Sequence, residues 1–205
     1  MASRLTGSAL ALAAMLTAAG CASTGSAAGT YHPSAAAGSG ASWPGEPSGV
    51  HMNVSLGERK LYVKDGSSIV KTYSIGVGKP GYETPSGDYS VNRIVWNPPW
   101  NPPDAAWAAD REPAAPGAPD NPMRVVKIYF NEPDYYIHGA NEESKGQAIS
   151  HGCLRMGPSD AADLARYLMD NGGSGRSAAW FQNVSKSNET ETVLLSRSIP
   201  MHVQP

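Results

Sequence analysis

From Val50 to the C-terminus, apolar and polar positions alternate over several short stretches with a period close to two, the spacing of half-buried strands. Arg59-Lys60-Leu61-Tyr62-Val63 is rich in strand formers, Asp65-Gly66 is a turn signal, and Ile69 to Val77 is β-rich again, which predicts a hairpin. Gly87 to Val95 sets Tyr89, Val91 and Ile94 against polar neighbours as one further strand, and Met123 to Phe130 and Tyr135 to His138 predict two more. A helical period is clear in one place. Ala161, Leu164, Ala165 and Leu168 share one face, Ser159 stands where a cap would stand, and Asn171-Gly172-Gly173 ends the pattern. Ala178 to Asn183 predicts a short turn, and Thr192 to Leu195 with Met201 to Val203 predict closing strands interrupted by Pro200. The expected fold is mainly β, a sandwich or barrel-like domain with one principal helix.

The segment from Trp96 to Pro122 breaks the pattern. Asn97-Pro98-Pro99-Trp100-Asn101-Pro102-Pro103, Trp107 and four further prolines are too irregular for sheet or helix. Proline removes backbone freedom in advance and tryptophan offers broad apolar faces. Such a loop serves either as a stiff wall beside a groove or as a cover over one end of the sheet, and a loop this long points to function.

Ahead of Val50 the chain changes character. Arg4 supplies a positive start and Ala9 to Ala19 an apolar run too short for a lasting membrane span, which reads as an export signal over residues 1–20. Ala18-Ala19-Gly20-Cys21 resembles the lipobox of bacterial lipoproteins, which would make Cys21 a lipidated N-terminus; the plainer alternative is simple cleavage with an incidental cysteine. Residues 21–48 are Ala-, Gly-, Ser- and Pro-rich and too poor in large apolar groups to offset the entropy of ordering them, so a flexible tether is expected. The folded domain is then expected over residues 49–205, exported and held to a membrane by its N-terminal lipid. A formal net charge of -2 and the lack of any Lys/Arg run argue against nucleic acid as a partner.

With Cys21 cleaved away or lipidated, Cys153 is left as one thiol without a disulfide partner in an exported chain. It lies in Ser150-His151-Gly152-Cys153-Leu154-Arg155-Met156, ahead of the predicted helix, where a thiolate would gain from the positive end of the helix dipole if the turn points it there. His138 ends the strand Tyr135-Tyr136-Ile137 and is followed by Gly139. Two strand ends can bring thiol and imidazole together. A free thiol is only a few per cent ionised near neutrality, so a base beside it makes the nucleophile.

Ile137-His138-Gly139, the run Ser150 to Met156, and the upstream Gly76-Val77-Gly78 and Thr84-Pro85-Ser86-Gly87 together resemble the L,D-transpeptidase catalytic domain, or YkuD domain, of bacterial peptidoglycan enzymes. The resemblance covers roughly residues 50–203. Where that family often has Asn after the Leu of its motif this chain has Arg155, as in a subgroup of periplasmic anchoring enzymes. The resemblance implies an L,D-transpeptidase-like β-sandwich, Cys153 as nucleophile, His138 as base, and the Gly139 carbonyl as the group that orients the imidazole. It also implies attack on stem tetrapeptides through a thioester, without a cofactor. Diaminopimelate, a Lys of an envelope protein, or water would accept the acyl group. Backbone N–H groups of Gly152 and Cys153 are candidates for the oxyanion. Arg155 is a candidate for a substrate carboxylate or for a bond beneath the loop. Ser150, His151 and Tyr136 are candidate substrate contacts, with Ser150 and His151 alternatively holding the turn, and Tyr82 and the tryptophans are groove candidates. A zinc site built from His138, His151 and Cys153 is a rival with weak support, since three scattered ligands form no paired motif. A wall-binding module without catalysis is a second rival.

Overall fold

The computed structural model describes residues 47–205. The proposed export signal, Cys21 and almost all of the tether lie outside them. In chain order the strands are β1 (Val50–Ser55), β2 (Lys60–Asp65), β3 (Ser68–Ser74), β4 (Val77–Gly78), β5 (Gly87–Trp96), β6 (Arg124–Asn131), β7 (Tyr135–Gly139), β8 (Ala148–Ser150), β9 (Leu154–Met156) and β10 (Glu191–Gln204). Helices α1 (Pro158–Asn171) and α2 (Ala178–Lys186) lie between β9 and β10.

Eight strands form one sheet in the order β3-β2-β1-β10-β5-β6-β7-β9, and β4 pairs with β8 in a small second sheet. The large sheet curls back on itself. Gly76, just past β3, bridges Arg155 in β9 through two backbone bonds of 2.8 and 2.9 Å, so the first and last strands of the sheet are tied together. The domain is thus mainly β and sandwich- to barrel-like, as expected.

The predicted hairpin is β2 and β3, joined at Asp65↔Ser68 with Gly66 at φ 54°, a value that glycine adopts at no steric cost. Its second strand ends at Ser74 rather than Val77, because the chain turns away at Ile75-Gly76 to reach β9. β1 has no counterpart in the predicted elements. His51, Asn53 and Ser55 interrupt its apolar residues, yet all three are buried, since β1 is paired on both edges, antiparallel to β2 and parallel to β10. The two closing strands are one, β10, with an irregularity between Leu194 and Ile199. Pro200 sits inside it opposite Ser90, and the β1 ladder begins only at Met201, so the missing N–H of Pro200 costs no bond to β1.

Helix α1 follows the predicted face: Ala161, Leu164, Ala165, Leu168 and Met169 are buried against the sheet. Burying each such leucine contributes about 2 kcal/mol. The cap differs from expectation. Gly157 holds the cap position without a side-chain bond, Pro158 opens the helix, and Ser159 lies within the first turn. Proline is at home there because its absent N–H would have no helical partner. The short turn at 178–183 is a second helix, α2, capped by Ser177 Oγ, which accepts the Trp180 N–H at 3.2 Å. Phe181 and Val184 bury its inner face and Phe181 packs edge-on against Trp96.

The segment after β5 carries a small core of its own. Trp100 and Ala114 bridge through backbone bonds of 2.9 Å and pack with Met123, while Trp107 and Tyr136 lie against the cluster.

Candidate active site

Strands β6, β7 and β9 lie side by side, and their register builds the site. Ile137 pairs with Ile128 on one side and Leu154 on the other, and all three are fully buried, so this row points into the core. Side chains alternate between faces, so the rows on either side point to the opposite face. One of them is Lys127, His138 and Arg155, with Lys127↔His138 and His138↔Arg155 as register partners. The other contains Tyr129↔Tyr136 and, one step back along β9 from Ile137↔Leu154, Cys153. Cys153 and His138 are therefore on the same face, on adjacent strands, one diagonal step apart.

Around Cys153 the chain is held by hydroxyls. Ser150 Oγ donates to the Cys153 carbonyl at 2.6 Å and accepts the Gly152 N–H at 3.0 Å. Thr84 Oγ1 accepts the Gly78 N–H at 3.1 Å and donates to the Gly152 carbonyl at 2.8 Å. Gly152 has φ 108°, and a Cβ there would meet the Tyr135 ring at 2.7 Å, so both conformation and space require glycine.

Of the two roles open to Ser150, holding the turn is the one seen: the residue is buried and both bonds of its hydroxyl go to the turn. The Gly152 N–H is taken by that same hydroxyl and is not the open oxyanion donor expected of it. The gain from a helix dipole is corrected as well. β9 lies between Cys153 and Pro158, about 10 Å of extended chain, so the helix N-terminus is carried away from the sulfur.

The half-buried Cys153 thiol donates to the Asp134 carbonyl at 3.4 Å, and the Tyr136 hydroxyl and backbone also bond to the sulfur. Burial pushes the thiol above its ordinary value, and the hydrogen bonds from Tyr136 and the charges of Lys127 and Arg155 pull the other way. Burial likewise holds the Tyr136 phenol high, so it stays a donor. His138 Nδ1 donates to the Gly139 carbonyl at 2.9 Å. The same bond to Gly139 and one to Pro122 favour a charged ring, but burial, with Arg155 and Lys127 on either side, holds its pKa at about 3. The resting site is thus a neutral thiol and a neutral imidazole with one fixed tautomer. A preformed thiolate–imidazolium pair does not describe this state.

Gly139 has a second task. A Cβ there would fall on the Arg124 carbonyl across the strand pair, so the residue that supplies the orienting carbonyl must also be small. His151 lies flat on Trp107, with ring centroids 3.9 Å apart and planes 5° apart, and meets Tyr82 edge-on at 4.5 Å. It fastens the long loop to the turn that carries Cys153. Arg155 is half-buried, bonded through its backbone to Gly76, and its Nε has no hydrogen-bond partner. Among the described residues no group of three or more His, Cys, Asp or Glu side chains is arranged to hold a metal ion.

Lys127 was not a candidate from the sequence. It is 8% exposed, its Nζ lies 4.7 Å from the centre of the Tyr136 ring, and it donates to the Pro99 carbonyl at 3.4 Å. The signal was present: a lone lysine in Val125-Val126-Lys127-Ile128, an otherwise apolar strand, is a buried charge in need of a reason. The Asp134 and Pro122 carbonyls left no such trace, because every residue has one.

A family model for the L,D-transpeptidase catalytic domain matches residues 49–178. The L,D-transpeptidase YkuD assigned in Bacillus subtilis is 31% identical over 124 residues, 60% of this chain and 62% of that protein. Its counterpart in Bacillus licheniformis is 32% identical over 120 residues, 58% of this chain and 59% of that protein. The chain thus spans about three fifths of the length of these curated relatives. Among solved structures, an L,D-transpeptidase from Mycobacterium smegmatis is similar with a TM-score of 0.48 and 17% identity, over 76% of this chain and 58% of that one. With the family model covering more than half of the sequence, from β1 into α2, the chain belongs to the YkuD family of L,D-transpeptidase catalytic domains.

Proposed function

We propose that the protein is a cysteine-dependent L,D-transpeptidase of the cell envelope, acting on peptidoglycan stem tetrapeptides through a thioester at Cys153. The observation that carries this reading is the placement of Cys153 and His138 on one sheet face, with the imidazole locked by the Gly139 carbonyl so that Nε2 is its basic nitrogen. In the first half-reaction the sulfur attacks the carbonyl carbon before the terminal D-Ala, and His138 Nε2 takes the thiol proton as the C–S bond forms. The imidazolium then returns the proton to the departing amine. The products are D-Ala and a thioester. In the second half-reaction an amine attacks the thioester, His138 takes its proton, and the proton passes to sulfur as the C–S bond breaks.

The oxyanion role falls on the Cys153 N–H. The Gly152 carbonyl on the same peptide is held by Thr84, which fixes the plane and aims the N–H the opposite way. A donor of this kind is worth about 3 kcal/mol in the transition state. Tyr136 serves as a hydrogen-bond donor to the sulfur. Export, lipid anchoring through Cys21, and a diaminopimelate or protein lysine acceptor belong to the same proposal, resting on the sequence of residues 1–21 and on the resemblance.

The test is incubation of the purified protein with tetrapeptide-containing wall fragments, with products identified by mass. Cross-linked dimers, protein adducts and tripeptides report diaminopimelate, lysine and water as acceptors. No release of D-Ala by the wild type, or equal release by Cys153→Ala, would overturn the proposal. A carbapenem is expected to add its mass to the wild type and not to Cys153→Ala.

A further inference from the structure

Two cations flank the histidine of this site, and among the described residues neither has an anionic partner. Two other lysines of the domain are paired, Lys71 with Asp163 at 2.9 Å and Lys145 with Glu142 at 2.7 Å and Asp160 at 2.8 Å. Lys127 is more buried than either, yet its hydrogen bond is to the Pro99 carbonyl at 3.4 Å, and among the described residues no carboxylate forms an ion pair with it or with Arg155. Arg155 Nε is buried without any acceptor. Keeping a buried cation unpaired costs stability, so two of them, one on either side of the histidine, call for an anion that arrives from outside.

The geometry narrows what that anion is. The Lys127 backbone lies in the row of His138, but its side chain leans over the Tyr136 ring, which brings the ammonium into the row of Cys153. The field of Lys127 at Cys153 and that of Cys153 at Lys127 show that the two groups sense one another. In a peptide whose last residue is the one released, the terminal carboxylate carbon lies within about 4 Å of the carbonyl carbon under attack. A carboxylate so placed falls within reach of an ammonium poised beside the nucleophile.

Resting on the transpeptidase reading above, we propose that Lys127, backed by Arg155, is the receptor for the free carboxylate of the residue that leaves. Lys127 is then a specificity-determining residue, and donors capped or extended beyond that residue are rejected because they leave the cations unpaired and desolvated. Its ammonium makes a charge-assisted bond to the carboxylate, with the Pro99 carbonyl holding the side chain on the loop side. The site binds one carboxylate and transfers nothing to it.

The experiment compares a tetrapeptide donor bearing a free terminal carboxylate with the same peptide as its C-terminal amide, in the wild type, Lys127→Met and Lys127→Arg. The ratio of kcat/KM for acid over amide is expected to fall about 10- to 100-fold in Lys127→Met and to recover in part in Lys127→Arg. Equal losses on both donors would overturn the proposal, since they would mean that Lys127 acts on the thiolate or the oxyanion. A second measurement needs no turnover: N-acetyl-D-alanine, but not its amide, should slow alkylation of Cys153 by iodoacetamide in the wild type, and this protection should vanish in Lys127→Met. Equal protection by acid and amide, or none by either, also overturns the proposal. Failure of the transpeptidase reading shows separately, as absence of wild-type turnover on the acid donor. Circular dichroism of Lys127→Met confirms that a folded variant is being compared.

Discussion

The Thr84 hydroxyl donates to the Gly152 carbonyl at 2.8 Å, joining two motifs that stand 68 residues apart and fixing the peptide that precedes the nucleophile. Thr84 also receives the Gly78 N–H, so the small β4-β8 sheet and the cysteine turn share one hydroxyl. Thr84→Val keeps the shape and removes both bonds. We expect kcat to fall about 10- to 100-fold with little change in KM, and Thr84→Ser to restore most of it. A loss confined to KM would show that Thr84 serves substrate binding and not the orientation of the peptide.

The resting thiol is neutral. Burial raises its pKa above the ordinary thiol value and outweighs the opposing bonds from Tyr136 and charges of Lys127 and Arg155, so the thiol form prevails at neutral pH. Alkylation of Cys153 by iodoacetamide in the unliganded protein should be slow at neutral pH and keep rising past pH 9. A plateau reached near pH 6 would reveal a preformed thiolate–imidazolium pair instead.

Acid should destabilise the domain through His138. Between about pH 3 and 6.5 the unfolded chain carries a proton on this imidazole that the folded chain does not bind, so lowering the pH favours unfolding across that window. Above 6.5 both states are neutral and the contribution is constant. The stability lost between pH 7 and pH 4, from urea unfolding, should be smaller in His138→Gln than in the wild type by about 3 kcal/mol. Equal losses in the two proteins would place the ring in a far more hydrated setting than the one seen.

Trp107 holds the long loop over the turn by stacking on His151. Trp107→Ala removes that contact, worth about 1 kcal/mol beyond the area it buries, while Trp100, Ala114 and Met123 still anchor the rest of the loop. KM for the donor should rise several-fold with the melting temperature little changed. An unchanged KM would mean that the loop covers the sheet without bounding the groove.

Gly139→Ala tests the crowding at β7. The added methyl meets the Arg124 carbonyl, and since that atom is backbone the strand pair must part or the bond from His138 Nδ1 to the Gly139 carbonyl must shift. We expect lower stability together with loss of activity, and Gly139→Ser should fare no better. An alanine variant with wild-type kcat would show that β6 and β7 yield at this position.

Local pattern and motif, both properties of short stretches, determined much of this. The alternation in β5, the strand-forming runs of β2 and β6, the single well-marked face of α1, and the pairing of His138-Gly139 with Ser150 to Met156 can be seen residue by residue, because side-chain period and motif spacing are written along the chain. Tertiary structure decided what depends on partners distant in sequence. β1 became a strand because two neighbours cover both its edges, and Pro200 could stay inside β10 because the β1 ladder starts one residue later. Strand register placed Lys127 and Arg155 on either side of His138, and a hydroxyl already engaged removed Gly152 from the oxyanion role. Burial and neighbouring charge, which set the protonation of thiol and imidazole, are sums over everything within several ångströms and have no local signature in the sequence.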